Sequence, residues 1–191
     1  IHIPKTAGTS LGYMLNQSNG MRVFFDYDPQ YRYARDLCPL VEEYFGFITQ
    51  YFRAIHGHFH YVKYAERLPD AAFITCVRHP VARAISQFKH VAALPDGADW
   101  RGPLIRSGEM SVVDFVASDD NIRQAMTIHL EGRTIEDYDF VFITERLEKG
   151  LRMFARRMGY GLSGELPHVN TSSSRSERRG LEMPPVTEEH T

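Results

Sequence analysis

The feature that most limits how this chain can fold is an alternation. Short β-branched and aromatic runs are separated by stretches patterned for helices. Residues 1–3, 54–58, 72–77 and 140–144 read as strands, and residues 22–25 as a fifth of weaker pattern. An alternation of this kind builds an α/β fold around a mainly parallel sheet flanked by helices.

The clearest helix is predicted over residues 80–94, with Pro80 at its first position. Val81, Ile85, Phe88 and Val91 or Ala92 recur at helical spacing and are expected to face the sheet, while Arg83, Ser86, Gln87 and His90 form another stripe. A second helix is predicted over 147–158, with Leu147, Leu151, Phe154 and Met158 on one face and Gly159 as its stop. Residues 31–52 form an aromatic, helical stretch, 95–108 a loop bearing Gly and Pro with Trp100 as its anchor, and 159–185 a partly mobile segment without periodicity. No internal repeat or second domain is visible, so 1–191 reads as one domain. Both ends look cut: residues 1–3 resemble the tail of a strand, and Thr187 with Glu188 and Glu189 resembles a helix start.

Composition narrows the partners. Lys and Arg number 22 against 24 Asp and Glu, which gives no bulk attraction to nucleic acid. No apolar run approaches the ~20 residues that span a bilayer. Two cysteines, Cys38 and Cys76, are too few for a disulfide framework and lack metal-ligand spacing. Their scarcity favours a reducing compartment, and with it the cytoplasm.

Two stretches carry anion chemistry. In IHIPKTAGTS an apolar run meets PKTAGTS, which opens a helix near Gly8. Backbone N–H groups at a helix start favour a phosphate, Gly8 permits close approach, Lys5 adds charge, and Thr6, Thr9 and Ser10 add hydroxyl donors. A threonine-capped helix start with an incidental lysine is the plain alternative. The nucleotide-triphosphate pattern GxxxxGK[ST] places its lysine after the glycine, whereas Lys5 precedes Gly8. The second stretch is AFITCVRHPVARAISQF. Arg78 ends a buried strand, where open α/β sheets bind ligands, and Ser86 follows about two helical turns on. An arginine fork and a hydroxyl suit a phosphate that carries no reacting bond, although an arginine paired with a surface carboxylate would look the same.

A third stretch, IHGHFHY, offers His56, His58 and His60. In extended backbone His56 and His58 share a face, and histidine suits general-base work near neutral pH. A hydrogen-bonded pair at a strand end and a zinc site are the alternatives; no fourth ligand stands nearby, so no metal is expected.

PKTAGTS and VRHPVARAISQF together resemble the two cofactor signatures of sulfotransferases that use 3′-phosphoadenosine 5′-phosphosulfate (PAPS), and the likeness is greatest to the family 2 type. That group includes heparan sulfate 2-O-sulfotransferase and bacterial relatives. HGHFHY at 56–61, DNIRQAMTIHLEG at 120–132, FVFITERLEKGL at 140–151 and LPHVNTSS at 166–173 fit the same family in the same order. The resemblance implies a P-loop NTPase-like three-layer fold. It puts Lys5, Thr6, Ala7, Gly8, Thr9 and Ser10 on the 5′-phosphosulfate loop, and Arg78 and Ser86 on the 3′-phosphate. It also implies that His58 is the base with His56 as its support, that Lys5 faces the leaving group, and that the 166–173 region closes over cofactor or acceptor. The implied reaction moves a sulfuryl group in line to an acceptor hydroxyl, of a carbohydrate, and releases 3′-phosphoadenosine 5′-phosphate (PAP) without a metal. Animal members of the group work in the Golgi lumen. Two other readings stand beside it: a PAP- or PAPS-binding module without activity, against which the histidines speak, and a nucleotide kinase, against which the lysine order speaks. The residues name neither the acceptor nor an oligomeric state.

Overall fold

The computed structural model describes residues 1–17, 22–28 and 36–159. The expectations for 160–185, for the 166–173 closing region, for the helix start at Thr187 and for residues 31–35 lie outside the described residues. In chain order the elements are α1 (Gly8–Gln17), β1 (Val23–Asp26), α2 (Pro39–Glu43), α3 (Phe45–Tyr51), β2 (Ala54–Gly57), α4 (Val62–Ala65), β3 (Ile74–Val77), α5 (Pro80–Ala92), α6 (Arg101–Ser107), α7 (Val112–Ala117), α8 (Asp120–Arg123), α9 (Ala125–Leu130), β4 (Phe140–Ile143) and α10 (Leu147–Met158). The chain forms two compact units. One comprises Ile1–Arg78 with the described part of 124–167; the other contains His79–Arg123.

In the first unit all strand pairing is parallel. β1 pairs with β2 from Val23↔Ala54 to Asp26↔Gly57, and β3 pairs with β4 from Ile74↔Phe140 to Val77↔Ile143. Residues 1–3, expected as a strand, run between these pairs and are bonded to both. The His2 amide donates to the Gly57 carbonyl at 2.8 Å, and the Ile1 nitrogen donates to the Ile74 carbonyl at 2.7 Å. The resulting order is β1, β2, segment 1–3, β3, β4. Neighbouring residues of each strand turn to opposite faces. Val23, Ala54, Ile74 and Phe142 pack with Leu11, Met14 and Leu15 of α1 and Leu151 and Phe154 of α10. Phe24, Ile55, Phe73 and Val141 pack instead with Val41, Ile48 and Tyr64 of α2, α3 and α4. Helices therefore cover both faces of a mixed α/β unit.

One buried polar contact pins the carboxyl ends of β1 and β2. Asp26 and Lys63 are 5% and 1% exposed, and Lys63 Nζ lies 2.7 Å from Asp26 Oδ2. The Tyr64 hydroxyl donates to the same oxygen at 2.8 Å. The Asp26 carbonyl accepts the His58 amide at 3.2 Å and crowds Gly57, where a Cβ would lie 1.8 Å from that oxygen. The glycine between His56 and His58 is thus imposed by close strand packing.

The second unit is helical. Phe88, Val91 and Ala92 of α5 pack with Ile105 of α6, Phe115 of α7 and Ile122 of α8. The stripe expected to face the sheet is buried at Phe88, Val91 and Ala92, but its partners are α6, α7 and α8. Val81 is exposed, whereas Arg83, assigned to the polar stripe, is buried with its guanidinium donating to the Ile122 carbonyl. The 95–108 stretch, expected as a loop, contains α6. Its Gly102 and Pro103 sit in the first turn, where a missing N–H costs nothing and a missing side chain lets Gly102 approach the Val91 carbonyl. Trp100, expected as a loop anchor, is 65% exposed. Among the described residues no helix is long and apolar enough to cross a membrane.

The Asp26–Lys63 pair generates a stability prediction. Lys63→Met leaves a buried carboxylate without its counter-charge and should destabilise the protein by about 3–5 kcal/mol in urea unfolding. Asp26→Asn combined with Lys63→Met should recover part of that loss, because the uncompensated charge is gone.

Candidate active site

The loop expected to receive an anion is built by strain and by caps. Lys5 and Ala7 both have positive φ, 68° and 63°, which is uncommon for residues with a Cβ and costs roughly 1–3 kcal/mol each. Left-handed residues in a tight turn curl backbone N–H groups towards a common centre, the arrangement that receives anions. The Ala7 carbonyl accepts the Ser10 and Leu11 amides at 3.0 and 3.2 Å and so starts α1. The Gly8 and Thr9 amides stand before the first helical bonds, at the positive end of the helix. Thr6, expected as a ligand donor, is fully buried, and its hydroxyl donates to the Ile3 carbonyl at 2.8 Å. It shapes the turn. Thr9 is exposed, Ser10 is buried, and Lys5 is half-buried.

Arg78, one residue beyond β3, reaches this loop. Its Nη1 donates to the Lys5 carbonyl at 3.1 Å. Its Nε is buried without a hydrogen-bond partner among the described residues, and the Glu145 carboxylate lies 3.9 Å from it. Ser86 stands half-buried on α5 of the second unit.

Beside the loop lies a cluster of histidines. The His2 ring lies against His58 with centroids 4.3 Å apart and against His56 at 5.2 Å, tilted by 32° to each. His58 Nδ1 is 2.5 Å from the His2 carbonyl. A carbonyl only accepts, so Nδ1 carries the proton and the neutral ring presents Nε2 as its basic nitrogen. His58 is half-buried, whereas His56 is only 3% exposed and packs beneath α1, where a Cβ at Gly12 would lie 3.1 Å from its Cε1. His56 Nδ1 is 2.8 Å from the Tyr27 hydroxyl, which is itself 2.6 Å from His2 Nδ1. His129 is fully buried with Nδ1 on the Ala125 carbonyl at 2.7 Å, and its ring lies 6.2 Å from both His58 and His60. Among the described residues no group of three or more His, Cys, Asp or Glu is disposed to hold a metal ion.

Sequence reasoning marked the loop, Arg78 and the HGH pair. It passed over Tyr27 and gave His2 and Glu145 little weight. Their positions, just after β1, just before the loop and just after β4, were the available signal.

Burial keeps much of this cluster uncharged. It lowers His56 to about 3 and His129 to about 4, and holds His2 well below the usual imidazole range; neighbouring histidines add to the effect at each. The unfolded chain protonates these groups near pH 6.5, while the folded chain resists until lower pH. Between pH 6.5 and 5 the unfolded state therefore binds more protons, and stability falls with falling pH. The expected slope is about 1.4 kcal/mol per pH unit for each such histidine. Urea unfolding across that window should show it, and His129→Leu should flatten the slope by one histidine's share.

A tight left-handed turn at a helix start, an arginine braced on it and an imidazole protonated at Nδ1 lie on the first unit of this chain. The family model described as the sulfotransferase family matches residues 1–184, spanning all of these features. A search of curated proteins returns no match. The chain belongs to the sulfotransferase family, in its family 2 branch, whose general chemistry is sulfuryl transfer.

Proposed function

We propose that this protein transfers a sulfuryl group from PAPS to a hydroxyl of an acceptor, a carbohydrate, by in-line displacement on a P-loop-like fold. The observation that carries this reading is the link through His2. Three residues before Lys5, it holds the proposed base His58 by its carbonyl at 2.5 Å. An anion loop and a base thereby share one piece of backbone, as transfer from an anionic donor to a hydroxyl requires.

The donor set suits a nucleotide with two anionic ends. Lys5, Ala7, Gly8, Thr9 and Ser10 are assigned to the 5′-phosphosulfate, with Thr6 maintaining the turn that presents them. Arg78 and Ser86 are assigned to the 3′-phosphate, and the buried Nε of Arg78, which has the Glu145 carboxylate 3.9 Å away but makes no hydrogen bond among the described residues, is a donor of the kind such a phosphate would satisfy. PAPS supplies a sulfur–oxygen bond whose leaving group is the 5′-phosphate of PAP.

His58 Nε2 takes the hydroxyl proton of the acceptor as the acceptor oxygen bonds sulfur and the bond to the phosphate oxygen breaks. The His2 carbonyl, on Nδ1–H, supports the imidazolium that results. Lys5 and the amides of Gly8 and Thr9 meet the negative charge that grows on the departing oxygen, with Lys5 as its proton donor. His56 supports the base from beneath α1 through Tyr27 and His2. The carbohydrate class of the acceptor follows from the family resemblance.

Adding PAP should raise the melting temperature of the full-length protein more than the same concentration of ATP with magnesium; the reverse order would overturn the donor assignment. Arg78→Ala should weaken PAP binding about 10- to 100-fold, for the loss of charge-assisted hydrogen bonds. His58→Ala should bind PAP as the parent does while kcat falls about 10²- to 10⁴-fold. Undiminished turnover in that variant would remove His58 as the base.

A further inference from the structure

We infer that Tyr27 is a positioning residue for His58, acting through His2. The inference rests on the sulfuryl-transfer reading of the same site. Tyr27 follows β1 directly, and its hydroxyl lies between two buried imidazole nitrogens, 2.6 Å from His2 Nδ1 and 2.8 Å from His56 Nδ1. A phenol has one proton. It donates to one ring and accepts an N–H from the other, so the two Nδ1 atoms are held in opposite protonation states. Burial pushes the Tyr27 hydroxyl above its ordinary pKa, which keeps that proton in place at neutral pH.

The bridge fixes His2, and His2 fixes His58. A Cβ at Gly8 would lie 1.9 Å from His2 Cδ2, so the His2 ring rests flush on the Gly8 backbone with no room to swing that way. Its other face meets the His58 ring at 4.3 Å, and its carbonyl takes the His58 Nδ1 proton. The Tyr27 ring itself meets His58 edge-on, with centroids 4.9 Å apart and planes at 88°. His58 is therefore held by the backbone carbonyl of His2, by the tilted His2 ring that the Tyr27 hydroxyl fixes, and by the edge of the Tyr27 ring. Removing that oxygen leaves two buried nitrogens without their partner and frees the His2 ring to turn. The looseness passes to His58 through the ring contact. The loop of residues 5–10 has its own anchors in the Thr6 hydroxyl and the Arg78 guanidinium, and the His2 ring touches it at Gly8.

The test is Tyr27→Phe in the full-length protein, which keeps the ring edge and removes the bridge. PAP affinity should stay within twofold, kcat should fall about tenfold with KM unchanged, and the imidazole nitrogen NMR shifts of His58 should change from a single Nδ1–H tautomer to an averaged pair. His2→Asn, whose amide occupies the Nδ1 position, should keep the tautomer signature and lose less kcat than His2→Leu. Parental kcat with unchanged His58 shifts in Tyr27→Phe would overturn the inference. So would a loss of PAP binding that parallels the loss of kcat, since the damage would then lie in the loop. A parent protein that binds no PAP contradicts the sulfuryl-transfer reading instead; the tautomer comparison needs neither donor nor acceptor and still decides the bridge.

Discussion

The first unit depends on the contact between the Asp26 carbonyl and Gly57. No side chain fits at position 57, because a Cβ would lie 1.8 Å from that oxygen. The carbonyl also receives the His58 amide, while the Asp26 carboxylate is clamped by Lys63 and Tyr64 from below. A buried ion pair of this kind adds little net stability over a well-packed apolar pair, but losing one partner is costly. Its value is positional. It sets where β1 ends, and so where Tyr27 begins and where His56 and His58 stand on either side of a bare glycine.

From that point the site is assembled by backbone more than by side-chain pairing. His2 donates its amide to the Gly57 carbonyl, accepts the His58 ring at its own carbonyl, and three residues later the chain enters the strained turn of Lys5 to Ala7. Left-handed backbone at two residues with side chains persists only where surroundings over-determine it. Here those surroundings are the Thr6 hydroxyl on Ile3, the Arg78 guanidinium on Lys5 and the first bonds of α1. Below the turn, His2, His56 and His129 are kept neutral by burial. His58, the proposed base, is surrounded by polarisable rings rather than by fixed positive charge. That suits a group that must gain a proton during the reaction.

Much of this was legible in the sequence because periodicity and punctuation are local signals. The 54–58, 72–77 and 140–144 runs became β2, β3 and β4, and the weaker 22–25 run became β1. Helix α10 begins and ends where Leu147 and Gly159 placed it. The misreadings arose where tertiary contact outweighs local pattern. Gly102 and Pro103 looked like loop residues, yet a helix first turn tolerates both. Arg83 fell on a stripe apart from the apolar one, yet it is buried and donates to the Ile122 carbonyl. In the proposed site, the loop, Arg78 and the HGH pair drew attention because their residue types sit at telling spacings. The Tyr27 bridge could not: it joins residues 25 and 29 positions apart that meet only after β1 and β2 have paired.

The account stands or falls on the identity of the donor. The most direct measurement incubates the full-length protein with sulfur-labelled PAPS and a panel of oligosaccharides, and follows both label and PAP. The account predicts that label appears on an acceptor and that PAP accumulates one for one with it. PAPS left intact across the panel, with ATP consumed in its place when magnesium is supplied, would contradict it.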